Sequence, residues 1–482
     1  MPLVLGGSAA AAGAFSVDNS CIFDAASDSK LSKAVSSGAG NTKWCFSTWF
    51  KPSNYNAYQR FFWGGVISGA ETGITLYGSA RGDAYDSIIA IVFTADASTT
   101  SRSWTTASFY QDCTAWTHLL VRYDSTDVTA DDRIQIWVNG TRISDWSSQG
   151  GGNPDLNETC DVFAANNLAV GREVDSGDNW SYNGYLAEVC VLDGTAADAT
   201  DFGEFDETNA TVWKPKKVSG LAFGTNGFYL DFKDSANLGN DANGGTDLTE
   251  SNIDAADQAT DTPTNNFCTW NDLNEYDGTF SQGNLIATGT GSYNAFGTFG
   301  MMKGKWYWEN HLSRSHIMLG MAEVGISQQI NPQTGFPFYM VYDNGGATYI
   351  YNNATSVVST AITSLGNFAD GVIVGIAFDA DAEKMWASFN GTWYDVGSGT
   401  GDPSAGTNPM FSSVIPRFGG TIVPACAAGT ASSEIITSVN FGVPSFTISS
   451  GNEDDNGYGD FEYAPPTGFL ALCTKNLGSD GG

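Results

Sequence analysis

The sequence predicts an all-β protein built from two β-sandwich, or jelly-roll, domains in tandem. A chain of 482 residues is too long for one ordinary core, so two domains of roughly 200 residues each are expected. Charged residues make up only 15% of the chain, whereas 57 glycines and an aromatic content of 13% favour turns and strands. Asn-Gly and Asp-Gly pairs recur between short β-rich runs and supply the positive φ angles that two-residue hairpins need.

The acidic balance of the chain excludes two classes of partner. Its 53 Asp and Glu residues outnumber its 21 Lys and Arg residues and give a formal net charge of −32. Such a surface repels phosphate and anionic lipid, so we expect neither nucleic acid nor membrane insertion. The same acidity offers oxygen ligands for a structural Ca²⁺ ion, for which the loop 453–460 is the segment considered. The sequence defines no metal-ligand set and no other cofactor.

A break in composition divides the chain. Aromatic residues nearly vanish from 233 to 265, where Asp, Asn, Gly and Thr dominate. We expect this segment to be an acidic, Gly- and Asn-rich linker or loop between domains at 15–232 and 266–477. Residues 1–14 are apolar but carry no Lys or Arg, which argues against a cleaved signal peptide and favours an extended anchoring arm that docks on a neighbouring subunit.

The eight cysteines show no short-spaced pair or cluster, so the sequence gives little support to a zinc site. Several lie in strand-like apolar runs, and we expect buried free thiols there. An even number of cysteines also permits disulfides, which spacing alone does not establish.

The strand-like segments of the first domain occur in a specific order. The order is a Trp-Thr-His run at 116–124, an Ile-Trp-Val-Asn-Gly hairpin at 132–143, Leu-Ala-Val-Gly-Arg at 168–172 and Gly-Tyr-Leu-Ala-Glu-Val at 184–189. This succession resembles the laminin G-like, or concanavalin A-like, jelly roll over residues 15–232. The resemblance implies binding of glycans or proteins, in some members through Ca²⁺ at the rim of the sandwich.

The second domain carries a different set of motifs. They are Gly-Lys-Trp-Tyr-Trp-Glu at 304–309, Asp-Gly-Val-Ile-Val-Gly-Ile-Ala-Phe-Asp at 370–379, Ser-Phe-Asn-Gly at 388–391 and Asn-Phe-Gly at 440–442. Their succession resembles a SPRY domain over residues 266–477. The resemblance implies a β-sandwich that binds partners through loops at one end and catalyses nothing. The chain departs from the family pattern from Glu309 onward, at Glu-Asn-His-Leu (309–312), where the strand usually continues apolar, and in the insertion-like stretch 397–410.

The last segment, 463–477, resembles the closing segment of SPRY-like modules in bacteriophage virion proteins. Together with the domain order and the arm, it makes the chain resemble a phage tail-fibre or head-fibre protein. The resemblance implies a location on the tail or head surface of the virion, and contacts with other virion proteins through the arm. It also implies a host-surface glycan or protein as ligand, and a homo-oligomer, with a trimer as one option.

Four aromatic residues in the second domain are the candidate ligand-binding residues. Their rings combine apolar area with a polar tip, and they lie near loops or hairpins: Tyr349, Tyr351, Trp393 and Tyr394. Packing in the core or within a hairpin is the alternative role for each of them.

No catalytic constellation is evident. Three histidines in the whole chain leave little room for a Ser-His-Asp or Cys-His site. Glycosidases that share the jelly roll use three carboxylates on one strand, and the nearest string here, Glu204-Phe-Asp-Glu207, lacks the third at the required spacing. Strand alternation places Glu204 and Asp206 on one face if they lie in a strand. We therefore expect a non-enzymatic protein, with a glycan depolymerase and a purely architectural capsid decoration protein as the alternatives.

Overall fold

The fold is all-β, as the sequence predicted, and is described by a computed structural model. The described residues fall into two compact units, one ending at Thr264 and the other beginning at Asn265. Strands, turns and loops make up both units, apart from a few single 3₁₀ turns and one short helix, α1 (Thr474–Ser479). The structure describes residues 15–35, 41–54, 58–65, 71–77, 88–95, 100–163, 167–173, 180–274, 278–291, 293–313, 317–323, 338–343, 348–352, 356–358, 370–397, 399–416, 420–428 and 431–479.

The first unit is a sandwich of two eight-stranded antiparallel sheets. Its strands are β1 (Ser20–Phe23), β2 (Lys30–Ala34), β3 (Lys43–Pro52), β4 (Tyr58–Gly65), β5 (Glu71–Tyr77), β6 (Ile88–Ala95), β7 (Thr100–Thr106), β8 (Thr117–Asp124), β9 (Ile134–Val138), β10 (Thr141–Arg142), β11 (Trp146–Gly150), β12 (Asn167–Val170), β13 (Gly184–Asp193), β14 (Gly203–Phe205), β15 (Trp213–Pro215), β16 (Phe228–Leu230), β17 (Thr249–Ser251) and β18 (Gln258–Ala259). One sheet has the order β10-β9-β8-β3-β13-β1-β18, with β16 also on β13, and the other has the order β11-β7-β6-β5-β4-β12-β2-β17. Strands β14 and β15 form a separate pair.

The core of this unit lies between the two large sheets. Phe46 of β3 stacks on Phe62 of β4 with ring centroids 5.2 Å apart, and Phe50 contacts Phe61 at 4.8 Å. These four rings come from strands on opposite sheets. Phe61 and Phe62 are consecutive, and both meet rings of β3 because the pairing register of β4 shifts between Arg60 and Phe62.

A third layer covers the outer face of the sheet that contains β3. Almost every residue of β3 is buried, on both faces of the strand. His118 on the neighbouring β8 packs against Phe202 and Trp213, whose centroids lie 6.3 and 5.9 Å from its ring. Ser47 Oγ lies 2.9 Å from His118 Nε2. Burial lowers the pKa of His118 to about 3, so the ring is uncharged at neutral pH.

The segment predicted as a linker or loop, 233–265, consists mostly of turns and loops, and all of it up to Thr264 belongs to the first compact unit. Strand β17 pairs with β2, and β18 pairs with β1. Asp261 forms an ion pair with Lys51 at 2.8 Å, and both side chains are 1% exposed. Trp116 Nε1 donates to the other oxygen of Asp261 at 2.8 Å. Composition alone does not distinguish this buried aspartate from the solvated acidic residues around it, which is why the segment looked like a linker.

The second unit is a sandwich of a nine-stranded and a six-stranded sheet. Its strands are β19 (Thr279–Ser281), β20 (Ile286–Gly291), β21 (Asn294–Phe296), β22 (Lys305–Leu312), β23 (Ile317–Glu323), β24 (Phe338–Asp343), β25 (Thr348–Asn352), β26 (Ser356–Val358), β27 (Ile373–Asp379), β28 (Lys384–Phe389), β29 (Thr392–Tyr394), β30 (Phe411–Ser412), β31 (Ile422–Ala428), β32 (Ala431–Asn440) and β33 (Leu470–Ala471). The larger sheet has the order β19-β20-β32-β22-β27-β28-β29, with β30 on β28 and β33 on β22. The smaller sheet has the order β21-β31-β23-β24-β25-β26.

Only some of the Asn-Gly and Asp-Gly signals form two-residue hairpins. Asn139-Gly140 has φ angles of 47° and 71° and joins β9 to β10. Asn390-Gly391 has φ angles of 46° and 77° and joins β28 to β29. Pairs such as Asp370-Gly371 precede a strand without closing a hairpin, and Asn344-Gly345 lies outside the described residues.

All eight cysteines are buried free thiols, which confirms the expectation from their sequence context. Burial raises the pKa values of Cys21, Cys45, Cys160, Cys190, Cys426 and Cys473, for example that of Cys160 to about 11. The arm at 1–14 lies outside the described residues. Among the described helices, none has the length and apolar character that crossing a membrane requires.

Replacing Asp261 by Asn tests whether residues 252–264 hold the first sandwich together. The change leaves the Lys51 ammonium buried without its counter-charge, so we expect a loss of about 3–5 kcal/mol in the free energy of unfolding. Urea unfolding of the full chain, followed by tryptophan fluorescence, measures it. Asp18→Asn is the control, because Asp18 pairs with Lys233 at 3.4 Å on an exposed surface and should matter little. Equal effects of the two substitutions would contradict the assignment.

Candidate functional site

The β28–β29 hairpin carries two of the four predicted ligand-binding residues. Trp393 pairs with Ser388 across the hairpin, and Tyr394 pairs with Ala387. Because successive residues of a strand point to opposite faces, the hairpin separates Trp393 from Tyr394. The ring of Tyr394 packs against Phe389 at 5.9 Å.

Trp393 lies on the same face of the large sheet as Tyr307, and Tyr463 of the closing segment covers the turn beside it. The ring of Trp393 lies 6.2 Å from that of Tyr307 on β22. The ring of Tyr463 covers the hairpin turn so closely that a Cβ atom at Gly391 would lie 2.6 Å from its Cδ1. We call the surface formed by Tyr307, Gly391, Trp393 and Tyr463 the hairpin face.

The two outer residues of the hairpin face have unused polar tips. Trp393 and Tyr463 are half-buried, and neither the Trp393 Nε1 nor the Tyr463 hydroxyl is buried. No hydrogen bond joins either tip to the described part of the chain. An apolar ring with an accessible polar tip is the kind of group that recurs in binding surfaces.

The buried carboxylate of Glu309 positions Tyr463. Its Oε1 accepts hydrogen bonds from the Tyr307 hydroxyl at 2.9 Å and from the Tyr463 N–H at 2.8 Å. Its Oε2 accepts from Asn440 Nδ2 at 3.2 Å and from the Glu462 N–H at 3.0 Å. Burial raises the pKa of Glu309, and these four hydrogen bonds oppose the increase.

Asn440 extends the same network. Its Nδ2 also donates to the carbonyl oxygen of Asp460 at 2.8 Å, and its Oδ1 accepts from the Gly442 N–H at 2.9 Å. Glu309 and Asn440 are also paired residues of neighbouring strands, β22 and β32. The departure from the SPRY pattern at Glu309 therefore has a structural role: it fastens the C-terminal segment to the large sheet.

The insertion-like stretch 397–410 borders the hairpin face. Trp386 Nε1 donates to the carbonyl oxygen of Thr407 at 2.8 Å, which fixes one end of the stretch to β28. The hydroxyl of Ser404 accepts from the Thr467 N–H at 3.1 Å and connects the stretch to the C-terminal segment. The hairpin face thus lies beside two loops that contact each other.

Tyr349 and Tyr351 belong to a different sheet from Trp393. Both lie on β25 of the six-stranded sheet, and their side chains are outside the described part of the structure. The structure therefore does not assemble the four predicted residues into one site. The structure adds Tyr463 to the candidate binding residues. The sequence identifies this residue only as part of the closing segment 463–477. No local signal marks Tyr463, because its position depends on Glu309, more than 150 residues away in the chain.

The carboxylates considered for hydrolysis lie on the separate two-stranded sheet. Glu204 and Asp206 both approach the ammonium group of Lys214, at 3.5 and 3.7 Å. The side chain of Glu204 is 53% exposed, so this is a surface ion-pair group rather than a cleft.

The acidic loop considered for calcium is organised by N–H donors. Asp454 Oδ1 accepts from the N–H groups of Asn456 and Tyr458. Its Oδ2 accepts from the Ala471 N–H and from Asn476 Nδ2. Within the part of the chain that the structure describes, no three His, Cys, Asp or Glu side chains gather where they could hold a metal ion. Calcium binding stays a prediction.

Comparison with known proteins gives distant structural likenesses. No protein-family model and no curated protein matches the chain. Similar solved structures include the SPRY domain of human HERC1, with 13% identity, a TM-score of 0.27 and coverage of 35% of this chain and 96% of that one. A putative carbohydrate-binding protein from Bacteroides ovatus ATCC 8483 has 14% identity, a TM-score of 0.33 and coverage of 50% and 59%. The SAP-like pentraxin of Limulus polyphemus has 11% identity, a TM-score of 0.26 and coverage of 38% and 78%.

The chain spans 59% of the length of the Bacteroides protein. The TM-scores of these three structures lie below 0.5, so the likenesses carry no argument about function. The assignment of two β-sandwiches rests on the strands and sheets themselves.

Replacing Gly391 by Ala tests the contact between the hairpin turn and Tyr463. Gly371 is a matched control, because its φ of 86° is close to the 77° of Gly391, yet a Cβ atom there would meet nothing within 4 Å. Each substitution should lower the free energy of unfolding by about 1–2 kcal/mol, because alanine must adopt a left-handed backbone conformation. Gly391→Ala should cost clearly more, since it also displaces the Tyr463 ring. Urea unfolding compares them, and equal losses would show that the ring does not cover the turn.

Replacing Glu309 by Gln tests the buried network. An amide group offers one acceptor oxygen where the carboxylate offers two, so two of the four donors lose their partner. We expect a loss of about 2–3 kcal/mol in the free energy of unfolding. The control is Glu453→Gln at an exposed position, which should be close to neutral. A Glu309→Gln protein as stable as the control would contradict the role assigned to this carboxylate.

Proposed function

We propose that the protein is a non-enzymatic virion protein of a bacteriophage, a tail or head fibre, that binds a host-surface glycan or protein through the hairpin face. The observation that supports the binding role is the pair of half-buried aromatic residues Trp393 and Tyr463, whose polar tips make no hydrogen bond to the described residues. The buried Glu309 network holds Tyr463, and pairing with Ser388 holds Trp393 in the hairpin, so the surface is ordered before a ligand arrives, which lowers the entropic cost of binding.

The arrangement around the hairpin face favours binding over catalysis. Each oxygen of Glu309 already accepts two hydrogen bonds, so this carboxylate is a positioning group with no capacity left for a substrate. Glu204 and Asp206 share the charge of Lys214 on an exposed surface. Neither site resembles the two opposed carboxyl groups that glycoside hydrolysis requires.

The virion role rests on the sequence resemblance. It assigns residues 1–14 to contacts with other virion proteins and the two sandwiches to display at the tail or head surface. A homo-oligomer, with a trimer as one form, fits that role. The net charge of −32 keeps such a displayed surface away from nucleic acid and anionic lipid.

Binding of the purified full chain to isolated host envelope tests the proposed function. We expect Trp393→Ala and Tyr463→Ala to weaken binding in a sedimentation assay, with circular dichroism checking that each variant is folded. Phe205→Ala is the control, since Phe205 is an exposed aromatic residue, 42% accessible, in the first unit. The proposal would be contradicted if the full chain did not bind envelope, or if both hairpin-face variants bound it as well as the wild type.

Immunogold electron microscopy of phage particles tests the virion location. Label on the tail or on the head distinguishes the two fibre types, and unlabelled particles would remove the virion role.

Release of reducing ends from envelope polysaccharide, lost in Glu204→Gln, would replace the binding role by the depolymerase alternative. Head label without any envelope binding would support a purely architectural capsid decoration.

A further inference from the structure

We infer that the ligand of the hairpin face is an uncharged glycan. The inference rests on the proposed function and narrows its ligand class. Three features of the face carry it: the sign of the charges around Tyr463, the engagement of the lysines on the same sheet, and the absence of exposed aliphatic residues among the residues that form the face.

Negative charge flanks Tyr463. Glu309 lies beneath its backbone, and Glu462 precedes it in the chain. The N–H and the hydroxyl of Ser449 hydrogen-bond Glu462 at 2.6 and 2.7 Å, which lowers the pKa of that carboxyl and keeps it ionised. Burial, Glu462 and Glu309 together raise the pKa of Tyr463, so its phenol stays a neutral hydrogen-bond donor. A ligand with carboxylate, sulfate or phosphate groups would meet repulsion at this position.

The lysines on strands of this sheet are already engaged. Lys305 on β22 pairs with Asp379 at 3.3 Å. Lys384 on β28 donates to the carbonyl oxygen of Gly406 at 2.9 Å. An anionic ligand would therefore have to displace an existing contact of either lysine, whereas a neutral ligand requires no cation at all.

The chemistry of the face suits a sugar. The apolar C–H face of a pyranose ring packs on an aromatic ring, and its hydroxyl groups accept from an indole N–H or a phenol. Protein partners usually add a core of larger apolar contacts. Among the described residues of this unit, the large exposed aliphatic side chains are Leu273, Met302 and Ile415, and none of them belongs to the hairpin face. Met302 contacts Thr421, and Ile415 lies against Tyr339 of the six-stranded sheet.

Competition against envelope binding tests the ligand class. Polysaccharide extracted from the host envelope is separated by anion exchange into an uncharged fraction and an acidic fraction, and each competes with intact envelope for the full chain. We expect the uncharged fraction to compete and the acidic fraction to have no effect. Protease treatment of the envelope should leave binding unchanged.

Variants connect the competing fraction to the hairpin face. Trp393→Ala should weaken binding of the uncharged fraction up to about tenfold, measured by calorimetry, as expected for the loss of one stacked ring. Trp393→Phe keeps the ring and loses the N–H, so it should fall between the wild type and the alanine variant. Phe205→Ala again serves as the unaffected control.

Each contrary outcome has its own meaning. Competition by the acidic fraction, or loss of binding after protease treatment, overturns the uncharged glycan. If Trp393→Ala still weakens envelope binding in either case, the proposed function survives that result. Uncharged glycan that binds Trp393→Ala and Tyr463→Ala as well as the wild type overturns the site. A chain that does not bind envelope at all fails the proposed function itself.

Discussion

The second sandwich depends on one buried carboxylate. Placing Glu309 away from water is costly, and only a full set of hydrogen-bond donors offsets that cost. The donors come from its own strand, from the neighbouring strand β32 and from the backbone of the C-terminal segment. Glu462 and Tyr463, which lie outside the strands, are thereby fixed to the sheet. The orientation of Tyr463, and with it the hairpin face, follows from that attachment.

The first sandwich uses the same principle at a different place. There the ion pair between Lys51 and Asp261 attaches the last residues of the unit to the outer face of a sheet. The Trp116 N–H donates to the second carboxylate oxygen of Asp261. On the same outer face, Phe202 and Trp213 of the third layer pack on the neutral ring of His118. In both units the strands supply the sandwich, and buried polar groups determine which loops cover it.

This division explains how well the sequence predicted each level. Strands β8, β13, β22 and β27 overlap the apolar and aromatic motifs at 116–124, 184–189, 304–309 and 370–379, because the preference of such residues for strands is local information. The Asn-Gly pairs predicted the turns at 139–140 and 390–391, because only positive φ angles close a two-residue hairpin. The acidic composition of 233–265 gave no sign that Asp261 meets the buried Lys51, because that contact joins residues far apart in the chain.

The sequence by itself determined the all-β class, the two sandwiches, the positions of the main strands and Trp393 as a candidate binding residue. Tertiary structure alone decided that Tyr394 lies on the opposite face, that Tyr349 and Tyr351 lie on another sheet, and that Tyr463 covers the hairpin turn. The physical reason is the range of the interactions. Hydrophobic alternation and turn geometry act between neighbours in the chain, whereas the partners of a buried charge are brought together only when distant segments fold against each other.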